Sequence, residues 1–185
     1  MDVEIKQRIS YEIQAAEPGS ILFFLIDFER CSDMYVSILA GLLEGGGTGV
    51  FITTARPYCW WSKVLGENLI DESKVIFVDC VGGVEEAGEH TNVRCLKVPI
   101  SLEELSKTVE DLIAGLSENN RFVVLDSLSI LGLYISQREM EKLIDWMKEC
   151  VIKVRAKGII VAVDGLNPKL SHRVQKGVQR VVDLR

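Results

Sequence analysis

A carboxylate follows an apolar run in the second half of the sequence. The segment R-F-V-V-L-D-S-L-S-I-L, residues 121–131, places Asp126 and Ser127 directly after F-V-V-L. An uninterrupted apolar run is typical of a strand that is covered on both faces of a parallel sheet. Ligands of open α/β sheets bind at the carboxyl ends of the strands. Asp126 is therefore a candidate for holding a metal ion or a phosphate-bound water, with Ser127 beside it.

Two further charged side chains come just after apolar runs. Asp27 follows I-L-F-F-L-I, and Arg56 lies two residues after G-V-F-I-T-T. The carboxyl ends of parallel strands meet at one edge of a sheet, so we expect Asp27, Arg56, Asp126 and Ser127 to surround one groove. Arg56 could form an ion pair across that groove with Asp27 or with Asp79, which ends another apolar run.

Strand and helix patterns alternate along nearly the whole sequence. Apolar runs predict strands at residues 21–26, 49–54, 75–79, 93–99, 121–126, 158–164 and 181–184. Between them, apolar residues recur with helical spacing, and S-L-E-E and S-Q-R-E are capping-box patterns that start helices at Ser101 and Ser136. This alternation predicts a three-layer α/β fold, in which a mostly parallel sheet with right-handed crossovers carries helices on both faces.

The composition is typical of a folded globular protein. The chain has 185 residues, of which 48% are hydrophobic and 26% charged, with a net charge of -6. We expect a single domain over residues 1–185, made of an amphipathic helical segment at 1–17 and a core at 18–185. The acidic balance argues against nucleic-acid binding, because neutralising phosphates requires clustered Lys and Arg.

The cysteines and the first residues favour a cytoplasmic protein. The five cysteines are scattered without C-x-x-C spacing, so the sequence predicts buried thiols and neither a disulfide framework nor a metal site. The start M-D-V-E-I-K-Q-R has no apolar signal core, and every apolar run is shorter than a membrane span. We expect no membrane association.

The order of these segments resembles the core of the RecA superfamily. P-G-S-I-L-F-F-L-I looks like the strand before the phosphate loop, and D-S-L-S-I-L is similar to the Walker B strand. The likeness is greatest to KaiC-like archaeal proteins, and it covers residues 18–185. It implies a P-loop-NTPase-type fold whose nucleotide site lies at the carboxyl edge of the sheet.

The segment at the position of the phosphate loop departs from that family. A phosphate loop needs glycines to wrap the β-phosphate, a Lys for the terminal phosphates, and a Ser or Thr for magnesium. D-F-E-R-C-S-D-M, residues 27–34, contains neither glycine nor lysine and carries the carboxylates of Asp27, Glu29 and Asp33. We expect a degenerate Walker A motif and a vestigial nucleotide site.

A second departure concerns catalysis. The family usually has a glutamate just after the second strand, where it polarises the attacking water. This sequence has T-T-A-R-P there, and Arg56 cannot act as a base. The resemblance therefore implies a pseudo-ATPase with no catalytic residue and no cofactor.

The segment after Arg56 has an unusual aromatic composition. Y-C-W-W places Tyr58, Trp60 and Trp61 at the start of a predicted helix, and large aromatic side chains that stay exposed often anchor partners. Adjacent helical positions are about 100° apart, so at least one of the tryptophans could instead belong to the core. The apolar face of the 1–17 segment is another candidate partner surface.

Three functions remain open from the sequence. The first is a non-catalytic RecA/KaiC-like module for protein interaction, self-association or archaeal signalling. The second is a nucleotide-binding protein or ATPase with an atypical phosphate loop. The third is a DNA-binding accessory protein that uses basic residues of the tail, although these are also typical of a solvated helix face: Lys169, Arg173, Lys176, Arg180 and Arg185.

Overall fold

The apolar runs of the sequence form a parallel sheet. The structure, a computed structural model, describes residues 3–82, 91–96, 99–117 and 119–185. Within these ranges the strands are β1 (Ile21–Ile26), β2 (Thr48–Thr53), β3 (Val75–Asp79), β4 (Val93–Cys95), β5 (Arg121–Asp126), β6 (Lys157–Val163) and β7 (Arg180–Asp183). Their spatial order is β4-β3-β2-β5-β6-β1-β7, and each neighbouring pair is parallel.

Helices connect the strands and cover both faces of the sheet. The described helices are α1 (Val3–Ala15), α2 (Cys31–Glu44), α3 (Tyr58–Glu67), α4 (Leu102–Ala114), α5 (Leu128–Leu131), α6 (Gln137–Val154) and α7 (Pro168–Gly177). In the part of the chain that the structure describes, none of them is both long and apolar enough to cross a membrane. Helices α1–α3 pack on one face and α4–α7 on the other, which confirms the predicted three-layer α/β fold.

The strands are apolar throughout because both faces of the sheet are covered. In β1, Phe23 and Leu25 join the core beneath α4 and α6. Leu22, Phe24 and Ile26 join the core beneath α1 and α2. Successive side chains of a strand point to opposite faces, and none of these five is more than 6% exposed. The uninterrupted run thus supplies both cores at once.

Both predicted serine caps start helices. The Ser101 side chain accepts a hydrogen bond from the Glu104 amide at the start of α4. Ser136 forms a reciprocal capping box with Glu139 at the start of α6. Each cap satisfies a backbone N–H group that the first turn of a helix leaves unpaired.

The amphipathic N-terminal segment forms α1, and its apolar face is part of the core. Ile9 and Ile13 are fully buried against α2. The approach is close at Gly41 of α2, where an added Cβ would lie 3.2 Å from Ile13 Cδ1. This face is therefore used within the fold, which differs from the prediction that it offers a surface to a partner.

The two outer strands of the described sheet are short, and each contacts an arginine side chain. On β4, the Arg94 Nη1 group donates to the Val93 carbonyl at 2.8 Å. From α1, the Arg8 Nη1 group donates to the Asp183 carbonyl of β7 at 3.0 Å. Main-chain groups at both ends of the sheet thus receive hydrogen bonds from side chains.

The topology brings the predicted site residues to one edge. Strand β5 lies between β2 and β6, and β6 separates it from β1. Because all these strands are parallel, the segments that follow β1, β2, β5 and β6 meet at the carboxyl edge of the sheet. Asp27, Arg56 and Asp126 belong to three of those segments.

Candidate functional site

A cleft of about 280 Å³ lies at the carboxyl edge of the sheet. The residues that line it come from the segments after β1, β2, β5 and β6: Phe28, Cys31, Ser32, Tyr35, Ala55, Arg56, Trp60, Trp61, Asp126, Ser127, Ser129, Ile130, Val163 and Asp164. The structure therefore brings Arg56, Asp126 and Ser127 together, as predicted. Asp27, the fourth predicted member, is not among the lining residues.

The connection from β1 to α2 is a tight turn that uses its own polar groups. Phe28–Arg30 form one turn of 3-10 helix, and Asp27 caps it by accepting a hydrogen bond from the Glu29 amide at 2.9 Å. The same carboxylate pairs with Arg30 Nη2 at 3.5 Å. A phosphate-binding loop instead directs its backbone N–H groups at the ligand. In this turn the Asp27 carboxylate already accepts the hydrogen of one such group, the Glu29 amide.

Arg56 lies against an aromatic ring. Its guanidinium carbon is 4.2 Å from the centroid of the Trp60 ring, a cation–π arrangement worth about 0.5–1 kcal/mol at an exposed site. Asp27, one of its two predicted partners, pairs with Arg30 instead. The predicted Arg56–Asp27 ion pair is therefore wrong.

Asp79, the other predicted partner of Arg56, caps helix α3. Its Oδ2 atom accepts a hydrogen bond from the Tyr58 amide at 2.7 Å, and its Oδ1 atom accepts from the Val81 and Gly82 amides at 2.8 Å each. A carboxylate with three amide donors at a helix N-terminus needs no arginine. The predicted Arg56–Asp79 pair is wrong for this reason.

The main chain at Asp126 and Ser127 is held by β2 and α5. The Thr54 amide donates to the Asp126 carbonyl at 2.6 Å, and the Thr54 hydroxyl both donates to the Ser127 carbonyl and accepts from the Ser127 amide. The Ser127 side chain accepts from the Ile130 amide and caps α5. The Asp126–Ser127 peptide bond is cis. The hydrogen bonds with Thr54 and Ile130 thus hold the main chain on both sides of this peptide bond.

The Asp126 carboxyl group is buried and short of hydrogen-bond donors. It is 2% exposed, and its described hydrogen-bond contact is with Thr53 Oγ1 at 3.4 Å. The Thr53 hydroxyl has one proton, and its contact with the Arg56 carbonyl is much shorter, at 2.5 Å. Burial therefore raises the pKa of Asp126 to about 7, although the Tyr35 and Thr53 hydroxyls and the charge of Arg56 offset part of the rise.

Tyr35 of α2 places a second buried polar group beside Asp126. Its hydroxyl faces Asp126 and Ser127 but does not reach ordinary hydrogen-bond geometry with any group of the described residues. Burial, followed by the nearby Asp126 charge, raises the pKa of Tyr35 well above its usual value of 10.0. A buried hydroxyl without a partner costs free energy, and a ligand in the cleft could supply that partner.

An aromatic cluster forms the wall of the cleft. Trp61 is 1% exposed, and its ring centroid lies 5.2 Å from Tyr35, 4.9 Å from Phe51 and 4.8 Å from Trp60. Its Nε1 group donates to Thr53 Oγ1 at 3.1 Å. Edge-to-face contacts of this kind favour a rigid packing. The wall next to Asp126 is therefore built from core residues.

The candidate partner residues Tyr58, Trp60 and Trp61 differ in exposure. Tyr58 is 2% exposed and packs its ring 5.1 Å from Phe77, and Trp61 is equally buried. The structure places both in the core, which differs from the prediction that they belong to a binding surface. Trp60 is half-buried at the cleft, so it alone of the three presents a ring to solvent.

The cleft combines groups suited to binding a ligand. Its lining contains the Cys31 thiol, the serine hydroxyls and the Asp126 carboxyl group, without a histidine. Over the described ranges, no group of three or more His, Cys, Asp or Glu side chains is placed to hold a metal ion. The arrangement can stack an aromatic ring on its wall and hydrogen-bond a polar group at Asp126.

Sequence reasoning missed Tyr35 and Phe28, which line the cleft, and Thr53, whose hydroxyl contacts Asp126. Thr53 had a visible signal, because it ends an apolar run that was already placed at the carboxyl edge. Tyr35 had none, because the rotation of α2 decides whether it faces the sheet or solvent. Phe28 had none either, because it stands alone among the charged residues of D-F-E-R.

The basic residues of the tail are largely engaged in ion pairs. Arg180 pairs with Glu12 of α1, and Arg173 lies 3.4 Å from an Asp145 carboxylate oxygen. Arg185 bonds Asp183 at 2.6 Å. These contacts neutralise part of the positive charge that a DNA-binding tail would require.

Comparison with known proteins adds information on the fold. No protein-family model matches the sequence, and no curated protein matches it either. Among solved structures, the chain is similar to a KaiC-like protein of the hyperthermophilic archaeon Pyrococcus horikoshii, with a TM-score of 0.63 and 13% sequence identity. The match covers 91% of this chain and 74% of the archaeal one. The chain therefore has the RecA-like α/β fold of a KaiC-like protein.

Proposed function

We propose that the chain is a non-catalytic KaiC-like domain that serves as a protein-interaction or regulatory module. The observation that carries the proposal is the closed turn after β1, in which Asp27 binds the Glu29 amide and pairs with Arg30. This turn lies where a RecA-like protein would hold phosphates. An archaeal signalling role in the cytoplasm, with self-association or a protein partner, is part of the same proposal.

Electrostatics support the loss of nucleotide binding. Asp27, Glu29 and Asp33 put three carboxylates in the segment after β1, against the single Arg30. Two like charges about 4 Å apart repel by about 4 kcal/mol at an effective dielectric constant of about 20. A triphosphate at this position would meet net negative charge without a lysine to offset it.

Exposed apolar side chains near the cleft support an interaction role. Phe28 is 63% exposed, and Leu133 and Tyr134 are 76% and 71% exposed. Phe28 lines the cleft together with Ile130, and the Leu133 amide bonds the Ile130 carbonyl. An exposed apolar patch often marks a protein-binding surface, and we propose that these three side chains form one. We name Phe28, Leu133 and Tyr134 the apolar rim.

A nucleotide-binding protein with an atypical phosphate loop is the second candidate. Asp126 favours it, because a carboxylate at the end of β5 in this fold can hold a magnesium ion. The burial of Asp126 weighs against it, since a magnesium ion keeps several bound waters and Asp126 is only 2% exposed.

Thermal unfolding with Mg-ATP separates the two candidates. We expect the melting temperature to stay the same in the presence of millimolar Mg-ATP, because the closed turn offers no phosphate site. A ligand at a hundredfold its dissociation constant would add about 2.7 kcal/mol to the free energy of unfolding. A rise in melting temperature that requires magnesium and the triphosphate would overturn the proposal, and AMP serves as the control for the base and ribose.

The interaction role can be tested by replacing residues of the apolar rim and measuring whether a bound partner is lost. The wild-type domain, used as bait in an extract of its native host, is expected to retain a specific protein or a second copy of itself. Phe28→Ser combined with Tyr134→Ser should release it, because both rings are exposed at the rim. Tyr11→Ser is the matched control, since Tyr11 is 65% exposed on α1. Equal retention by all three proteins contradicts a role for the rim.

A further inference from the structure

Two buried polar groups meet in the cleft without a full set of partners. The Tyr35 hydroxyl faces the Asp126 carboxyl group, but it lies outside ordinary hydrogen-bond geometry with that group and with the other described residues. The Asp126 carboxyl group lies 3.4 Å from Thr53 Oγ1, whereas the Arg56 carbonyl oxygen lies only 2.5 Å from it and competes for its single proton. Buried polar groups in folded proteins are nearly always hydrogen-bonded. Their arrangement therefore points to a molecule that enters the cleft.

We propose that the cleft binds a small, flat aromatic molecule that carries a protonated amino or amidino group. The cationic group would donate to the Asp126 carboxylate, and the ring would pack on the aromatic wall formed by Tyr35, Trp60 and Trp61. The inference rests on the proposed function in one respect, namely that nucleotide phosphates do not occupy this edge of the sheet.

The size of the cleft limits the ligand. Its volume is about 280 Å³. Pockets for drug-sized ligands hold about 300–1,000 Å³, so this one lies just below that range. A single aromatic ring with one polar substituent fits, whereas a nucleoside triphosphate is far larger.

The charges that face Asp126 favour a cation over an anion. Arg56 lies on the side of β2, Asp164 on the side of β6, and the Tyr35 and Cys31 side chains on the side of α2. With Asp126 ionised, the cleft lining has more negative than positive charge. Asp126 also lacks an ion-pair partner among the described side chains, so a bound cation would compensate a buried charge.

The wall already holds one planar cation. The Arg56 guanidinium lies over the Trp60 ring at 4.2 Å, in the cleft itself. An amidinium has the same planar shape and two parallel N–H donors, which match the two oxygens of a carboxylate. The geometry that stabilises Arg56 thus shows that the aromatic wall accepts a delocalised cation.

Three probes of equal size test the sign of the ligand charge. Benzamidine is cationic, benzamide is neutral and benzoate is anionic, and each can be titrated into the protein at pH 8 with calorimetric or NMR detection. We expect benzamidine to bind at least about tenfold more tightly than benzamide, since hydrogen bonds between two charged groups are roughly twice as strong as neutral ones. We expect benzoate to bind most weakly.

The pH dependence and two variants sharpen the test. Because the carboxylate is ionised only above a pKa of about 7, the affinity for benzamidine should fall by about tenfold between pH 8 and pH 6. Asp126→Asn should remove both the preference for benzamidine and its pH dependence. Arg56→Met keeps the carboxylate and removes a competing cation, so it should tighten binding by roughly twofold to fivefold.

Several outcomes would overturn the inference. Equal binding of the three probes would overturn it, and so would stronger binding of benzoate. A lack of any binding would also overturn it, provided that the protein is folded, as shown by cooperative unfolding. Weaker benzamidine binding by Arg56→Met at pH 9 would also count against it, because Asp126 is ionised at that pH even though the loss of the Arg56 charge raises its pKa. None of these results affects the expected lack of response to Mg-ATP, which tests the proposed function separately.

Discussion

Asp126→Asn is expected to raise the free energy of unfolding by about 4 kcal/mol at pH 8 and to change it little at pH 4. Burial raises the pKa of Asp126 from 3.8 to about 7, and each pKa unit corresponds to about 1.4 kcal/mol. Between these values the unfolded chain binds fewer protons than the native one. Stability therefore decreases as pH rises from about 4 to 7.

The side-chain amide of Asn has the shape of the carboxyl group without its charge. The variant therefore avoids the decrease in the free energy of unfolding that ionisation of Asp126 causes. Urea unfolding of both proteins at several pH values gives the difference directly, because contributions from other titrating groups cancel. Asp111→Asn is the matched control, since Asp111 is exposed on α4 and should change stability by less than about 0.5 kcal/mol at any pH. A loss of stability in Asp126→Asn at pH 8 would show that the ionised carboxylate is stabilised.

Trp61→Ala is expected to reduce the free energy of unfolding by about 3–5 kcal/mol. Trp61 is 1% exposed, packs on Tyr35 and Phe51, and donates a hydrogen bond to Thr53. Its removal would leave a large cavity between α3 and the sheet. Urea unfolding followed by circular dichroism measures the loss without relying on tryptophan fluorescence.

The neighbouring Trp60 provides the control for this change. Trp60→Ala should cost only about 1 kcal/mol, since the ring is half-buried and its cation–π contact with Arg56 is worth about 0.5–1 kcal/mol. The two variants remove the same side chain from adjacent positions of one helix. Equal losses would contradict the placement of Trp61 in the core and Trp60 at the cleft.

Much of the fold follows from local patterns. Apolar runs such as I-L-F-F-L-I require cover on both faces, and the helices between them supply it. Ser101 and Ser136 mark helix starts because the capping interaction is local in sequence. The order of the segments, through its resemblance to the RecA superfamily, added a site at the carboxyl edge that the hydrophobic pattern alone does not specify.

The site was less predictable because its contacts depend on competition between groups. Asp79 and Arg56 have opposite charges at the same edge, yet three backbone amides satisfy Asp79 and an indole ring holds Arg56. The position of Asp126 followed from its strand. The shortage of hydrogen-bond donors at Asp126 could not be predicted from its strand, because it depends on which of two acceptors receives the single hydroxyl proton of Thr53.

The exposure of the aromatic side chains could not be predicted from the sequence, for a geometric reason. Neighbouring helical positions point about 100° apart, so one of Trp60 and Trp61 could face the core while the other did not. The sequence contains no signal that chooses between them. Tyr58 is buried because its ring packs 5.1 Å from Phe77 in the core beneath α3.

The arginines at the two ends of the sheet bear on how copies of the chain could associate. An outer strand with free main-chain groups is a template for strand addition, either between two subunits or in a growing fibril. Arg8 and Arg94 donate to carbonyls of β7 and β4, so an incoming strand would have to displace them and bring its own backbone past a positive charge. If the protein forms a homo-oligomer, we expect helices and loops, and not a continued sheet, to join its subunits.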